Sequence, residues 1–474
     1  MIVKTQINEM FVNKNVLILG LGLSGLSCVR FLTKMDVKFA VNDSRNSPVN
    51  IEQFNKEYPL LKLSLGQWDA ELIAAADIII TSPGIDLNDK NIATHINDKC
   101  QIWGDVELFF QIINQHNIVL PTLAVTGSNG KSTVVSLLAH IGKKLGLNIC
   151  LAGNIGLPIV DMLAEDNLEQ IDCLVLELSS FQLETLRSMN ALGVSVLNIS
   201  DDHLDRHKTL ENYQHIKHNI YHQGQTLVFN RDDQLTLPLA VNNDQTLVSF
   251  GSDNAKDGQF GLLNNKQALA IASNSLIALN QLPMSGTHNA LNCLAALALG
   301  QSAGWNMAEM VNVLGSFVGL EHRCQIVPSN DGIIWINDSK ATNVGATLAA
   351  IEGLVQTKKA SQKLILIAGG EGKGADFSPL KIAINNNVAQ LITLGKDGDK
   401  LADLTDKSIS VTSLQNAVDT ASALARNGDI VLLSPACASL DMFSNFVERG
   451  NAFIAAVLAV QKEITPEKNG VNNQ

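Results

Sequence analysis

The chain is short of several things, and each shortage removes a class of function. Aromatic residues make up only 5% of its 474 residues, too few for the stacking platforms on which single-stranded nucleic acid lies. Positive charge is also in deficit: 34 Lys and Arg face 46 Asp and Glu, for a net charge of −12. Nucleic acid and anionic membrane surfaces are therefore poor partners, and a phosphate-bearing ligand has to be met by local cations. No apolar run is long enough to span a bilayer. The stretch Met1–Glu9 has no apolar signal core, so no membrane insertion and a cytoplasmic location are expected. Paired cysteines are missing as well. The seven (Cys28, Cys100, Cys150, Cys173, Cys293, Cys324, Cys437) are scattered with no Cys-x-x-Cys, which reads as reduced, mostly buried thiols. The polar tail after Pro466 reads as frayed.

What the chain does have is centred on Val125-Thr126-Gly127-Ser128-Asn129-Gly130-Lys131-Ser132-Thr133. An apolar run, Thr122–Val125, precedes it, and a helical pattern through Val134, Leu138 and Ile141 follows. Glycines let the backbone approach an anion, and helix N-terminal N–H groups favour a phosphate. Lys131 is placed to reach the outer phosphates, and the Ser132 or Thr133 hydroxyl to hold Mg²⁺. The first glycine of the usual G-x-x-x-x-G-K-[ST] spacing falls at Val125, so the loop is a shortened variant.

Upstream, Val16–Leu19 runs into Gly20-Leu21-Gly22-Leu23-Ser24-Gly25, and a second strand, Lys38–Asn42, ends at Asp43-Ser44-Arg45. This G-x-G-x-x-G pattern with a later acid suits NAD or another nucleotide diphosphate equally. A strand at Asp77–Ile80 ends in Thr81-Ser82-Pro83-Gly84. Downstream of the phosphate loop, Leu151–Pro158 is a second glycine-rich turn. Glu177 ends the apolar strand Cys173–Glu177, where a buried carboxylate needs a cation. Val194–Ile199 exits into Ser200-Asp201-Asp202-His203-Leu204-Asp205-Arg206-His207, which reads as a metal-type cluster. Lys217 falls on the helical stretch Asn212–Ile220, and Ser285–Asn292 opens another helix. In the last third, Gly319–Arg323 reads as a hinge. Strands are expected at Ile334–Asn337, Lys363–Ala368, Ala389–Leu394 and Asp429–Leu433. Strand and helix alternate throughout, which predicts an α/β protein of three successive doubly wound domains. The N-terminal one (1–114) is Rossmann-like, the central one (115–319) is of P-loop ATPase type, and the C-terminal one (320–474) is again Rossmann-like.

Seven stretches, in order, resemble the Mur ligase family: Thr126–Thr133, Glu177–Gln182, Asp202–Arg206, Gly286–Asn289, His322-Arg323, Asn337–Asn343 and Ser434–Ser439. Within the family the likeness is to the branch that adds D-glutamate to UDP-N-acetylmuramoyl-L-alanine through an acyl phosphate. The resemblance turns the Gly20–Gly25 loop from NAD to a UDP group, met by Leu23, Ser24, Ser44, Arg45 and Gly84. It implies Asn154, Gln182 and His203 along the muramoyl-alanine arm. It implies ATP on Gly127, Ser128, Asn129, Gly130, Lys131, Ser132, Thr133, Asn292, Arg323 and Asp338. D-glutamate falls to Thr342, Lys373, Ser439, Leu440 and Phe446. Two Mg²⁺ ions fall to Ser132, Glu177, His203 and Lys217, with Lys217 carbamylated. Lys131, Glu177, His203 and Lys217 form the implied catalytic set, and a monomer is expected. Ser24 and Ser44 stand where the family also uses threonine, and the stretch from His203 to Lys217 is slightly shorter than in some relatives.

Overall fold

Short aliphatic runs, buried on both faces, make the central strands of three separate sheets. The computed structural model describes residues 2–464 apart from 166, 257, 264–266 and 283–285. Ser285, at the head of one expected helix, and the tail after Pro466 lie outside the described residues.

The first sheet holds β1 (Val16–Leu19), β2 (Phe39–Asp43), β3 (Lys62–Leu65), β4 (Ile78–Thr81) and β5 (Gln101–Gly104). All pairs are parallel, in the order β3-β2-β1-β4-β5. The carboxyl ends of β1, β2 and β4 therefore point the same way, and they carry Gly20–Gly25, Ser44-Arg45 and Ser82–Gly84.

The second sheet holds β6 (Thr122–Thr126), β7 (Ile149–Gly153), β8 (Cys173–Glu177), β9 (Ala191–Val196) and β10 (Gly224–Asn230). It continues with β11 (Thr246–Phe250), β12 (Phe260–Leu263), β13 (Ala268–Ile271) and β14 (Asn274–Ala278). The order is β14-β13-β12-β11-β10-β9-β6-β8-β7. Pairing is parallel as far as β12, and β12, β13 and β14 then run antiparallel to one another. The doubly wound plan thus holds in the half that carries the phosphate loop, and an antiparallel meander extends it.

The third sheet holds β15 (Gln325–Val327), β16 (Ile334–Asn337), β17 (Leu364–Gly369), β18 (Gln390–Leu394), β19 (Ser408–Ser410) and β20 (Ile430–Leu433). Its order is β15-β16-β20-β17-β18-β19, parallel except for β15 at the edge. Alternate residues of β17 feed two different cores. Leu364, Leu366 and Ala368 pack with Ile336 and Leu391, while Ile365 and Ile367 pack with Trp335 and Phe453. Both faces are covered, as a parallel sheet requires.

Most of the strands expected fall within a residue or two of their place, and β1, β8 and β16 fall on it. The exception is Val194–Ile199, found at Ala191–Val196, because the residues after Val196 turn to serve the phosphate loop. Leu151–Gly153, expected in a turn, completes the edge strand β7. The described chain divides into two compact units. One holds residues up to 199, 211–278 and 291–315, and the other holds 200–210, 279–290 and the chain from 316 on. All seven cysteines are free, and burial pushes the thiols of Cys173, Cys293 and Cys437 up to about 12.

The loop after β1 is closed by one tight approach. A Cβ on Gly25 would sit 1.9 Å from the Gly20 carbonyl oxygen. Gly25→Ala is therefore expected to destabilise the protein by about 1–3 kcal/mol, the usual range for overpacking. Urea unfolding measures this directly, and an unchanged midpoint would show that the backbone relaxes freely there.

Candidate active site

In the first unit, β6 leads through residues 127–130 into the helix Lys131–Lys144. Gly127 and Gly130 have φ of 149° and 86°, values that L side chains rarely adopt. The turn is held from the next strand's exit. Asn198 accepts from Ser128 N at 2.9 Å on its carbonyl and from Asn129 N at 2.8 Å on Oδ1, and its Nδ2 donates to Asn129 O at 3.0 Å. A Cβ on Gly130 would lie 2.6 Å from Asn292 Oδ1, so Asn292 stands against the loop.

Two lysines meet on one carbonyl. Lys131 Nζ donates to Gly127 O at 2.6 Å and to Ser128 O at 2.9 Å. Lys217, only 1% exposed, donates to the same Gly127 O at 3.1 Å and to Thr126 Oγ1 at 3.3 Å. Its ammonium also lies 4.6 Å from the Tyr213 ring centroid. Lys217, expected on a helix, is thus buried beneath the phosphate loop.

Glu177 is placed by register, since β6 and β8 pair Val125 with Glu177. Its Oε1 accepts from Asn154 Nδ2 at 2.8 Å, while Oε2 is buried with no hydrogen-bond partner among the described residues. A buried, unsatisfied carboxylate oxygen on the strand next to the one that feeds the phosphate loop fits a cation ligand.

At the first sheet, Asp43 is fully engaged. It accepts from Leu21 N at 2.7 Å and forms a bidentate pair with Arg45, at 2.9 Å from Nε and 2.7 Å from the terminal nitrogen. Burial raises its pKa, but these bonds outweigh burial and hold it below the ordinary value. The acid that would take a ribose hydroxyl in an NAD site instead braces the loop and aims Arg45. Ser44, Arg45, Gly84 and Leu23 are exposed around it, and Ser82 Oγ closes the loop onto Gly20 O at 2.9 Å.

In the second unit, the expected metal-type cluster at 200–207 does not form. Asp201 and Asp205 are exposed and His207 is buried, and among the described residues no three of His, Cys, Asp or Glu gather around one point. Asp205 and His207 lie on the one-turn helix Leu204–His207, whereas Asp201 and Asp202 precede it. Asp202 instead accepts from Asn343 Nδ2 at 3.3 Å and lies 4.0 Å from Lys373 Nζ. His203 follows in a left-handed conformation, φ 53°, with Nε2 3.7 Å from Asp202 Oδ1.

Asp338 follows β16 and is buried. It accepts from Ser434 Oγ at 2.8 Å and Cys324 N at 3.2 Å, and Arg323 lies near enough to favour its charge. Burial still dominates and raises its pKa to about 6. Burial and the same Arg323 lower His288 to about 4. His322 takes a φ of 60°, and its Nδ1 accepts from Asn337 Nδ2 at 3.0 Å, so the ring proton sits on Nε2.

Around the proposed glutamate residues, Glu371 and Ala438 bridge the exits of β17 and β20. Lys373 is held at φ 52°, Ser439 is buried and Leu440 is exposed. Sequence reasoning missed Arg449, which is 4% exposed and donates to Ser339 Oγ, Ser339 O and Cys437 O at 2.9–3.1 Å. It ties the Asn337–Asn343 and Ser434–Ser439 stretches together, with Ser339 Oγ also donating to Phe446 O at 2.8 Å. Burial lowers its pKa to about 10. Nothing in its helical context distinguishes it from a surface arginine.

Three family models match the chain: the Mur ligase MurD-like N-terminal domain over 14–104, the Mur ligase middle domain over 125–300, and the Mur ligase glutamate ligase domain over 322–437. The chain belongs to the Mur ligase family. A relative from Colwellia psychrerythraea, named UDP-N-acetylmuramoylalanine--D-glutamate ligase, is 54% identical over 95% of this chain and 98% of its own length. One of the same name from Shewanella violacea is 43% identical over 94% of this chain and 96% of its own. Among solved structures, MurF ligase from Thermotoga maritima in complex with ADP superposes with a TM-score of 0.61 at 15% identity, covering 90% of this chain and 96% of that one. A pseudomurein peptide ligase type C from Methanothermus fervidus gives 0.56 at 20% identity, covering 90% and 97%. At such identities these structures speak to the fold of this Mur ligase.

Asp338 gives a pH signature. Between its ordinary 3.8 and about 6, the folded state keeps a proton that the unfolded state has released. Stability therefore falls as pH rises through that window, and the loss is complete above it. Asp338→Asn should flatten that slope and, at pH 7.5, raise stability by an amount on the order of 1–3 kcal/mol. Urea titrations at several pH values check this, and a parallel fall in both proteins would assign the slope to other groups.

Proposed function

We propose that the chain is an ATP-dependent amide ligase that adds D-glutamate to UDP-N-acetylmuramoyl-L-alanine during peptidoglycan precursor synthesis. The observation that carries this reading is the 54% identity, over nearly the full length of both chains, to a relative bearing that name. The gathering of Lys131, Lys217, Glu177 and Asn154 around the phosphate loop supports it chemically.

Residues 1–114 take the UDP group through Leu23, Ser24, Ser44, Arg45 and Gly84, and Asn154, Gln182 and His203 take the muramoyl-alanine arm. ATP lies on Gly127–Thr133, Asn292, Arg323 and Asp338 of the later domains (115–319 and 320–474). D-glutamate meets Thr342, Lys373, Ser439, Leu440 and Phe446. Two Mg²⁺ ions would be held by Ser132, Glu177, His203 and a carbamylated Lys217. When bound they offset charge on the phosphates and the reacting carboxylate. One chain carries all three binding regions, so a monomer suffices, and the ATP requirement suits the cytoplasm.

A carboxylate is a poor electrophile, so activation comes first. The alanyl carboxylate oxygen attacks the γ-phosphorus, the bond to the β-phosphate oxygen breaks, and ADP leaves. Lys131 neutralises charge on the moving phosphoryl group. The neutral amine of D-glutamate then adds to the acyl carbon, phosphate departs, and the nitrogen gives up a proton. Lys373 holds a glutamate carboxylate during this step.

Phosphate release should require UDP-N-acetylmuramoyl-L-alanine, ATP and D-glutamate together, with other amino acids inert. Lys131→Ala should be folded and at least about 100-fold slower, in keeping with losing a charge stabiliser. Preference for another amino acid, or full turnover by the variant, would overturn the reading. Carbamylation needs its own test. Lys217→Ala should lose activity and regain part of it with added short-chain carboxylates, and intact mass spectrometry under CO₂ should show a labile 44 Da adduct on the parent protein, a mass fixed by CO₂ itself. No rescue and no adduct would leave Lys217 as a plain ammonium.

A further inference from the structure

Asp105 opens the helix Asp105–Gln115 directly after β5 and is buried. Among the described residues no cation pairs with it. Its carboxylate is satisfied by neutral donors alone. Ser24 Oγ donates to Oδ2 at 2.6 Å and Val106 N donates to Oδ1 at 2.9 Å. Burial raises its pKa, and these two bonds together with the nearby Gln182 side chain act against burial.

Asp105 is the first residue of its helix, behind the N-cap Gly104, and its bond with Val106 is local. Ser24 comes from elsewhere in the chain, the loop after β1, and the neighbouring Gln182 from the segment after β8. Gln182 Oε1 accepts from Ser179 N at 3.1 Å in a capping box, which leaves its amide nitrogen for other partners. Asp105 and Gln182 line one pocket with Thr81, Ser82, Gly104 and Phe181.

We propose that Asp105 is a positioning residue for the UDP-sugar substrate, setting the hydrogen-bond polarity of Ser24. This rests on the reading above that Ser24 meets that substrate. A serine hydroxyl has one proton. With that proton given to Asp105, Ser24 meets the substrate through its lone pairs and selects a donor, such as a hydroxyl or amide N–H of the nucleotide sugar.

Asp105→Asn preserves shape and reverses this polarity, because the new amide donates where the carboxylate accepted. The KM for UDP-N-acetylmuramoyl-L-alanine should rise about tenfold, the usual cost of one misplaced hydrogen bond. The KM values for ATP and D-glutamate, and kcat, should move less than about twofold, a margin below one such bond. In a Ser24→Ala background the same change should cost clearly less than alone. Thermal melting confirms folding, and Asp105→Ser, which keeps a small oxygen-bearing side chain at the first helical position, replaces Asp105→Asn if that variant does not fold. If Ser24→Ala leaves the KM for the UDP-sugar unchanged, the assignment of Ser24 to that substrate fails. If Ser24→Ala raises it while Asp105→Asn and Asp105→Ser do not, or if they raise all three KM values alike, the role of Asp105 is overturned.

Discussion

The candidate site depends on the carbonyl oxygen of Gly127, which receives both Lys131 and Lys217. Two ammonium groups on one oxygen repel each other, and low solvent exposure does little to screen them. The arrangement persists because the left-handed glycines and the Asn198 clamp leave that carbonyl nowhere else to point. It also resolves an apparent conflict. A chain of net charge −12 is a poor host for a polyphosphate in bulk, yet here it concentrates cations on a few atoms. Turning one of the two lysines into an anionic carbamate would convert mutual repulsion into attraction, and would give the unsatisfied Glu177 Oε2 a second oxygen with which to share a cation.

The parts of this picture legible in the sequence are those with local physics. β1, β8 and the strand feeding the phosphate loop are apolar runs cut off by glycine or polar residues, and they occur where the pattern puts them. The phosphate loop could be read because its chemistry lies within nine consecutive residues. The family motifs then supplied residues that no spacing rule connects, such as Asn292, which stands against Gly130 from a distant helix. Other features were hidden because they exist only in three dimensions. Asp105 and Arg449 look like surface charges on helices until their burial is known. The cluster at 200–207 misled for the opposite reason: proximity along a chain is not convergence, and Asp201 and Asp205 face solvent while Asp202 turns to Asn343.

The acids of the site fall into two groups. Asp43 has Arg45 and a backbone N–H, and is held charged. Asp105 and Asp338 are buried with mostly neutral donors, and burial lifts both. The first arrangement braces a loop at little cost. The second leaves stability unclaimed for the sake of a polar group in a fixed place, a familiar trade at functional sites.

The second sheet also has an outer boundary with a consequence of its own. Its last strand, β14, is reached through an antiparallel meander, and Asn274 and Ser275 at its start are exposed. An unpaired strand margin is a template on which a neighbouring chain can add, and polar residues along it discourage that recruitment. The described residues thus end a nine-stranded sheet in a short strand that opens with two exposed polar residues, a safeguard against fibrous self-association while the sheet is being assembled.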